Sequence, residues 1–374
     1  MAGGAGRSVL VVTVVHHPDD SRIRHRQVAA LLAAGWRVTY AAPWGGYGLP
    51  VPDGIPGLRA VDVTRARGRR RWAALRAARR LLREEARGHD LVLLHDPELL
   101  LALPGLALPP VVWDVHEDTA AAMEVKTWLP GLLRGPSAGA VRAVERLAER
   151  RVHLLLADHH YASRFRRPHP VVPNVTAVPA QPAPAAVAVD GRQRVVYLGT
   201  ITLERGAAEM VEIARRLPPQ VRLEVIGAAH GPAEPLLREA RDEGLLDWPG
   251  FLPADRAVAR LDGALAGLCL LHDEANFRPS MATKVVEYLG RGVPAVVTPL
   301  PVQRDLVERS GGGVVVPFGA TTEVVQLLTR WAADPGPARE MGLRGYAHVA
   351  EHLDWDRIQG DFVAALDRIA DAPR

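Results

Sequence analysis

Pro279-Ser280-Met281-Ala282-Thr283-Lys284-Val285-Val286-Glu287-Tyr288-Leu289-Gly290-Arg291-Gly292-Val293-Pro294 is the stretch on which the reading of this chain turns. Thr283 suits a helix N-terminal cap, and Lys284 and Glu287 then sit three apart on one face of the first turn. A surface ion pair on an ordinary helix is one reading. Against it stands the helix macrodipole, which disfavours a cation beside an N-terminus unless an anion is there to be held.

Upstream, Tyr197-Leu198-Gly199-Thr200-Ile201-Thr202-Leu203-Glu204-Arg205-Gly206-Ala207 reads as a strand, a loop and a helix start. Free backbone N–H groups at such a helix end favour an anion, and Arg205 can add a bidentate guanidinium. Taken alone, this segment is more simply a strand–helix turn with a solvated arginine. The Lys284 segment shifts the balance toward an anion site.

Outward from these segments, short β-branched or leucine runs alternate with longer helical patterns, the signature of a parallel sheet covered by helices on both faces. Strands are predicted at 9–15, 37–42, 91–94 and 111–115, with a helix over 22–34 closed by Gly35. A second series follows: strands at 194–198, 221–226, 266–271, 295–298 and 313–316, with a helix over 207–217. Between them, Pro173, Pro179, Pro182 and Pro184 stand among alanines in a stretch that can continue neither a helix nor a central strand, which marks a boundary. In open α/β sheets ligands bind beyond the carboxyl ends of the strands, and in the first half those positions hold His16, His95-Asp96 and the residues from Asp114 to Asp118.

With 374 residues and 48% hydrophobic content, the chain can bury the cores of about two domains. One cysteine, Cys269, lies in an apolar run and permits no disulfide, which favours a reducing, cytoplasmic setting. The net charge of +4 gives only a weak bias toward anionic ligands. Residues 8–15 are followed by His16-His17-Pro18-Asp19-Asp20 rather than a small-residue cleavage site, so they read as a strand, not a signal peptide. The longest apolar stretch is broken by Pro104, Pro109 and Pro110 and is too short to span a bilayer.

At this point the chain resembles the retaining glycosyltransferases of the GT-B fold, specifically glycosyltransferase family 4 (group 1). The resemblance covers nearly the whole chain and is strongest from Tyr197 to Pro317. Further matches are Gly227 after the second strand of that half, Pro249-Gly250-Phe251-Leu252-Pro253, the Gly292-Val293-Pro294 turn and Pro173-Asn174. In the N-terminal half, Asp19-Asp20-Ser21-Arg22-Ile23 stands where many relatives have a Gly-rich loop. His95-Asp96-Pro97-Glu98-Leu99 and Asp114-Val115-His116-Glu117-Asp118 resemble the strand ends of one branch. The resemblance implies an α/β, GT-B fold of two Rossmann-like domains facing a central cleft, with a C-terminal helix crossing back to the N-domain. The expected limits are an acceptor-side domain at 1–177, a Pro/Ala-rich linker at 178–190, a nucleotide-sugar-binding domain at 191–350 and the crossover helix at 351–374.

The implied reaction moves a sugar from a nucleoside-diphosphate sugar to a hydroxyl of a glycan, a lipid-linked sugar or a secondary metabolite, with retention, no metal and no cofactor besides the donor. Donor binding is expected at Gly199, Thr200, Arg205, Gly206, Gly227, Thr283, Lys284 and Glu287, the last on the donor ribose. Arg205 and Lys284 would stabilise the leaving diphosphate, each close ion pair contributing about 4 kcal/mol at ~4 Å and an effective dielectric of about 20. Two positions depart from the family pattern: the first of its paired glutamates is Pro279, and its usual Gly-Arg is Gly199-Thr200.

By the same resemblance the acceptor hydroxyl attacks from the face the diphosphate leaves, and a phosphate oxygen takes its proton. His116 either orients the acceptor or takes a proton, since imidazole titrates near neutrality, or it only bonds neighbouring backbone; the two readings weigh equally. His16, Asp19, Arg24, His95, Asp96 and Glu117 are assigned to the acceptor side, with a local cap and ion pair as the other reading of Asp19 and Arg22. No metal site is expected: His159-His160 lacks further ligands, and Asp354-Trp355-Asp356 reads as the cap of the final helix. Between Arg65 and Arg87, Trp72, Leu75, Ala78 and Leu82 are spaced for one apolar helix face. A solvated helix is the first reading of that stretch and peripheral membrane contact the second, while nucleic acid has no supporting motif. The alternatives from other classes are a nucleotide-sugar epimerase or non-catalytic partner subunit of the same fold, and a membrane-binding module.

Overall fold

The computed structural model describes residues 6–116, 131–183 and 191–372. Their contacts group into two units, Met1–Asn174 together with Arg357–Arg374, and Val175–Asp356. The first holds β1 (Ser8–Val12), α1 (Ala29–Ala33), β2 (Arg37–Ala42), β3 (Leu58–Asp62), α2 (Arg71–Glu85), β4 (Leu91–Leu94), β5 (Val111–Val115), α3 (Gly131–Ala148) and β6 (His153–Leu156). The second holds β7 (Gln193–Leu198), α4 (Ala207–Arg216), β8 (Val221–Ile226), α5 (Ala233–Asp242), β9 (Leu246–Gly250), α6 (Ala254–Ala259), β10 (Ala266–Cys269), α7 (Thr283–Gly290), β11 (Ala295–Val297), α8 (Pro301–Ser310), β12 (Gly313–Val315), α9 (Thr321–Ala333) and α10 (Gly336–His352). The last helix, α11 (Trp355–Ala370), begins in the second unit and runs into the first.

Both sheets are six-stranded and parallel, in the orders β3-β2-β1-β4-β5-β6 and β12-β11-β10-β7-β8-β9. Counted within its own unit, each runs 3-2-1-4-5-6, so the molecule carries two Rossmann-like domains of the GT-B type. The order reverses beside β1 and β4 in one sheet and beside β7 and β10 in the other, and ligand crevices open at such points. The central strands β1, β4 and β5 are buried throughout, as helices on both faces require. Three strands go unmarked by the hydrophobic alternation: β3, β6 and β9. Each is an edge strand, and each carries polar or proline residues that an edge tolerates, such as Arg59, His153 and Pro249.

The predicted helix at 22–34 is wound differently from expectation. Residues Ile23–Val28 form a π-helical turn before α1, with the Gln27 N–H bonded to the Arg22 carbonyl. The wider turn brings Arg22 and Gln27 onto one side, where both reach Asp114. In α2 the buried face is Ala74, Ala78 and Leu82, and Trp72 is 69% exposed, which corrects its placement on the apolar face. The expected N-cap at Thr283 is also corrected: Thr283 is the first helical residue of α7, and Ala282 stands at the cap without a side-chain bond. Asp354 does cap α11, its Oδ1 accepting the Asp356 N–H at 3.2 Å, and it accepts the Val178 N–H at 3.1 Å as well. At the far end of α11, Arg7 of the first unit pairs with Asp367 and Asp371 at 2.9 and 2.8 Å. Among the described residues no helix is long and apolar enough to cross a membrane.

The packing of α7 against its sheet depends on Gly267 in β10. A Cβ there would come within 2.3 Å of the Tyr288 ring, which is fully buried. We expect Gly267→Ala to lower the unfolding free energy by about 1–3 kcal/mol through overpacking. Gly360→Ala, at an open position on α11, serves as the contrast and should be neutral or stabilising by up to about 1 kcal/mol. Urea denaturation of the two variants measures both; equal effects would refute the packing account.

Candidate functional site

In the second unit, β7 runs into a loop that returns through a 3-10 turn, Leu203–Arg205, to the start of α4. Gly206 joins the turn to the helix at φ +88°, and a Cβ there would stand 2.6 Å from the Leu270 carbonyl oxygen. Only glycine fits that position. Gly227, just after β8, is fixed in the same way: a Cβ would lie 2.0 Å from the Gly199 carbonyl oxygen. The Tyr197 hydroxyl donates to the Thr200 carbonyl at 2.7 Å and the Gly199 N–H to the Ile226 carbonyl at 2.9 Å, so the loop is tied to both strands.

Facing this loop, α7 presents Lys284 and Glu287, 7% and 8% exposed, so the surface ion-pair reading is ruled out by burial. Lys284 Nζ lies 3.8 Å from the centroid of the Tyr197 ring, and a Cβ on Gly199 would sit 3.5 Å from it. Among the described residues that ammonium has no hydrogen-bond partner. The cation–π contact offsets only part of the cost of burying the charge. Arg205, half-buried, stacks at 5.3 Å over Phe277. Burial raises the Cys269 thiol above its ordinary pKa, and Lys284 and Arg205 oppose that rise, so both cations act on the same end of β10. The Tyr288 hydroxyl accepts the Leu198 N–H at 2.9 Å and donates to the Leu268 carbonyl at 3.0 Å, which holds α7 to both β7 and β10. That clamp was not legible as a role in the sequence, although Tyr288 lies inside the segment that decided the fold.

In the first unit the strand ends converge on two histidines. His116 Nε2 and His16 Nε2 are 3.0 Å apart, and His16 Nε2 is 3.3 Å from Asp96 Oδ1. His116 Nδ1 faces the Asp114 carbonyl at 3.0 Å. A carbonyl only accepts, so Nδ1 carries the proton and Nε2 of neutral His116 is the lone pair that meets the His16 N–H. The backbone bond expected of His116 is present, and its other ring nitrogen faces His16. Asp96 is buried and committed to the loop after β1, accepting from Thr13 Oγ1 at 3.0 Å, from the Val15 N–H at 3.2 Å and from the Val14 N–H. His95 is buried beneath, its ring 5.8 Å from that of His116.

Asp114 anchors the cluster. Its carboxylate accepts from Arg22 Nε and Nη2 at 2.8 and 2.7 Å and from Gln27 Nε2 at 3.0 Å, and His95 Nδ1 lies 3.3 Å away. Burial would raise its pKa; the Arg22 charge and hydrogen bonds, with His95 and His116, outweigh that and hold it well below the usual carboxylate range. His95, Asp114 and His116 are spaced closely enough to suggest a metal site. Both Asp114 oxygens already face the guanidinium, however, so the positive charge is in place and the donor set does not suit a metal ion. The local pairing expected of Asp19 and Arg22 is corrected: Asp20 supplies the cap, its Oδ1 accepting the N–H groups of Arg22 and Ile23, while Asp19 pairs with Arg24 at 3.0 Å. Arg24 lies over Trp44 at 5.4 Å. Burial would raise the Asp20 pKa, but the charge of His16, the Ile23 N–H and then His116 and His95 lower it below its ordinary value. Glu117 lies outside the described residues.

Residues 204–364 match a family model described as glycosyl transferase-like. No curated protein is similar enough in sequence to match. Sucrose-phosphate synthase from Thermosynechococcus elongatus superposes with a TM-score of 0.76 at 17% identity, covering 97% of this chain and 99% of that one. WaaG, a glycosyltransferase involved in lipopolysaccharide biosynthesis, superposes at 0.68 and 14% identity, covering 98% and 100%. Anabaena HepE in complex with UDP and glucose superposes at 0.67 and 14% identity, covering 97% and 100%. At these identities the likenesses establish the fold, and with the matched domain they support a transferase enzyme.

Arg22→Ala leaves Asp114 buried and uncompensated, and we expect it to cost about 3–5 kcal/mol of stability at neutral pH. Because Asp114 titrates below its unfolded value, the contribution of the pair is complete above the ordinary carboxylate pKa of about 4 and is lost as pH falls through the lower folded value. The gap between wild type and variant in chemical denaturation should therefore narrow below that pH. A gap that stays constant into acid would show that the ion pair is not its source.

Proposed function

We propose that this chain is a retaining glycosyltransferase whose second unit binds a nucleoside-diphosphate sugar and whose first unit supplies the acceptor side. The observation that carries the reading is the Lys284 ammonium, buried, unpaired among the described residues and set at the N-terminus of α7. A charge buried without a counterion costs several kcal/mol, and the macrodipole adds to that cost. A diphosphate removes both penalties, because its oxygens accept from Lys284 and from Arg205 and its negative charge suits the positive end of the helix.

Gly199, Thr200, Gly206 and Gly227 shape the loop so that backbone approaches the diphosphate, Thr283 opens the helix, and Glu287, one turn beyond Lys284, takes the donor ribose. Charge developing on the leaving diphosphate is met by two cations already in place, so departure is stabilised without a metal. The acceptor hydroxyl attacks from the face the diphosphate leaves, and a phosphate oxygen takes its proton. His116 Nε2, basic in the neutral ring, orients that hydroxyl together with His16, while Asp96, His95 and Asp114 position the rings. We place the enzyme in the cytoplasm, in keeping with one buried free thiol.

Thermal shift with a panel of nucleoside diphosphates, in EDTA, tests the donor site. UDP comes first, because HepE, of the same fold, is in complex with UDP and glucose. A hundredfold excess over Kd should stabilise the wild type by about 2.7 kcal/mol, and Arg205→Ala and Lys284→Met should abolish the response. Without nucleotide, Lys284→Met should match or exceed wild-type stability, because an unpaired charge has been removed. No response to any nucleotide would sink the donor assignment. If a nucleotide sugar is consumed without acceptor to give an epimer, the epimerase reading replaces this one; NMR of the product anomer tests retention.

A further inference from the structure

The first unit also carries an open polar hollow of about 630 Å³. Arg65, Arg67, Arg69 and Arg70 line it with Asp62 and the Gly45-Gly46 backbone, so four basic residues share the lining with one acidic residue. Asp62 is itself engaged, accepting the Gly45 N–H at 2.9 Å. Among the described residues no ion pair engages any of the four arginines, whereas the next one, Arg71, pairs with Glu98 at 2.9 Å. Arg69 and Arg70 also precede the N-terminus of α2, which has no side-chain cap and no acidic residue in its first turn. Clustered cations repel, and the positive end of a 15-residue helix adds to the repulsion, so an anion in the hollow relieves both.

The hollow is built rather than incidental. A Cβ on Gly46 would come within 2.6 Å of Arg65 Cβ, so glycine there lets Arg65 lie across the floor. Its guanidinium stacks at 3.5 Å on the Tyr47 ring and donates to the Gly46 carbonyl at 3.3 Å. The far side of Tyr47 faces the loop after β1: its hydroxyl donates to the Val15 carbonyl at 2.9 Å, and its ring centroid lies 4.6 Å from that of His17. One aromatic ring therefore separates Arg65 from the loop that carries His16.

We propose that this hollow binds the phosphate or diphosphate group of the acceptor while the acceptor's hydroxyl lies at His16 and His116. The inference rests on the acceptor-side reading given above and narrows it to phosphorylated acceptors, either a soluble phosphate ester or a phosphate-bearing lipid headgroup. A planar guanidinium matches two phosphate oxygens at once, and four arginines lining one hollow favour a group of high charge density over a neutral sugar.

Calorimetric titration of the full chain with pyrophosphate at low salt tests this, with the donor site filled by UDP or removed by Lys284→Met. The expected result is saturable binding that weakens with added salt and falls at least about tenfold in Arg67→Glu and in Arg70→Glu. Both variants should keep the wild-type thermal response to nucleotide, which shows that they are folded and keeps the two readings separate. Displacement of pyrophosphate by a soluble phosphomonoester supports the soluble source. Sedimentation with phosphatidic acid vesicles but not phosphatidylcholine vesicles, lost in the same variants, supports the headgroup. The proposal is overturned if neither pyrophosphate nor phosphatidic acid vesicles bind, or if binding is the same in the charge-reversal variants. A nucleotide response without phosphate binding defeats only the hollow, and phosphate binding without a nucleotide response defeats only the donor site.

Discussion

The Tyr288 hydroxyl is the contact on which the second unit's chemistry depends. Pairing of β7 with β10 ends at Val196 and Gly267, and beyond it the strands diverge, as strands do where a doubly wound sheet changes direction. Divergence opens the crevice but leaves the Leu198 N–H and the Leu268 carbonyl without each other. The phenol satisfies both, accepting from one and donating to the other. Left unmade, each bond would cost about 1–3 kcal/mol in a buried setting. The same side chain belongs to α7, so the repair of the sheet also fixes the helix whose first turn carries Lys284. Burial pushes the phenol's pKa well above its ordinary value, which keeps the donor proton in place across the physiological range.

The two units treat buried charge in opposite ways. In the second, Lys284 is held on an aromatic face and, among the described residues, its ammonium has no hydrogen-bond partner, which suits a site for an anionic ligand. In the first, Arg22 is neutralised internally by Asp114, and that pair serves as a foundation under His95 and His116. A buried ion pair is weak support for stability in general, but here it fixes the direction of a strand end and, through the Asp114 carbonyl, the tautomer of a histidine.

Much of this was legible in the amino-acid order. The central strands announce themselves because parallel strands buried on both faces are continuous hydrophobic runs, and the edge strands β3, β6 and β9 do not because their environment is mixed. Lys284 was legible through a local conflict, a cation where the helix field opposes one. Arg22 with Asp114 was not, because the partners stand 92 residues apart and nothing in either neighbourhood names the other. The choice between Asp19 and Asp20 turned on one residue of phase in a π-wound turn that periodicity does not reveal. Trp72 was misplaced because the buried stripe of α2 is made mainly of alanines, whose small size leaves the hydrophobic pattern too faint to set the helix phase.

The division of the chain has a consequence for its synthesis. The first unit is discontinuous: its first 174 residues are joined by a segment that starts only at Arg357. As the nascent chain leaves the ribosome, the first 174 residues of that unit emerge before the second unit yet lack their closing helix until the second unit has been made. The Arg7 contacts to Asp367 and Asp371 join a residue made before the second unit to two made after it. Vectorial folding, which ordinarily favours the N-terminal domain, thus leaves this one unfinished until the second unit has been made.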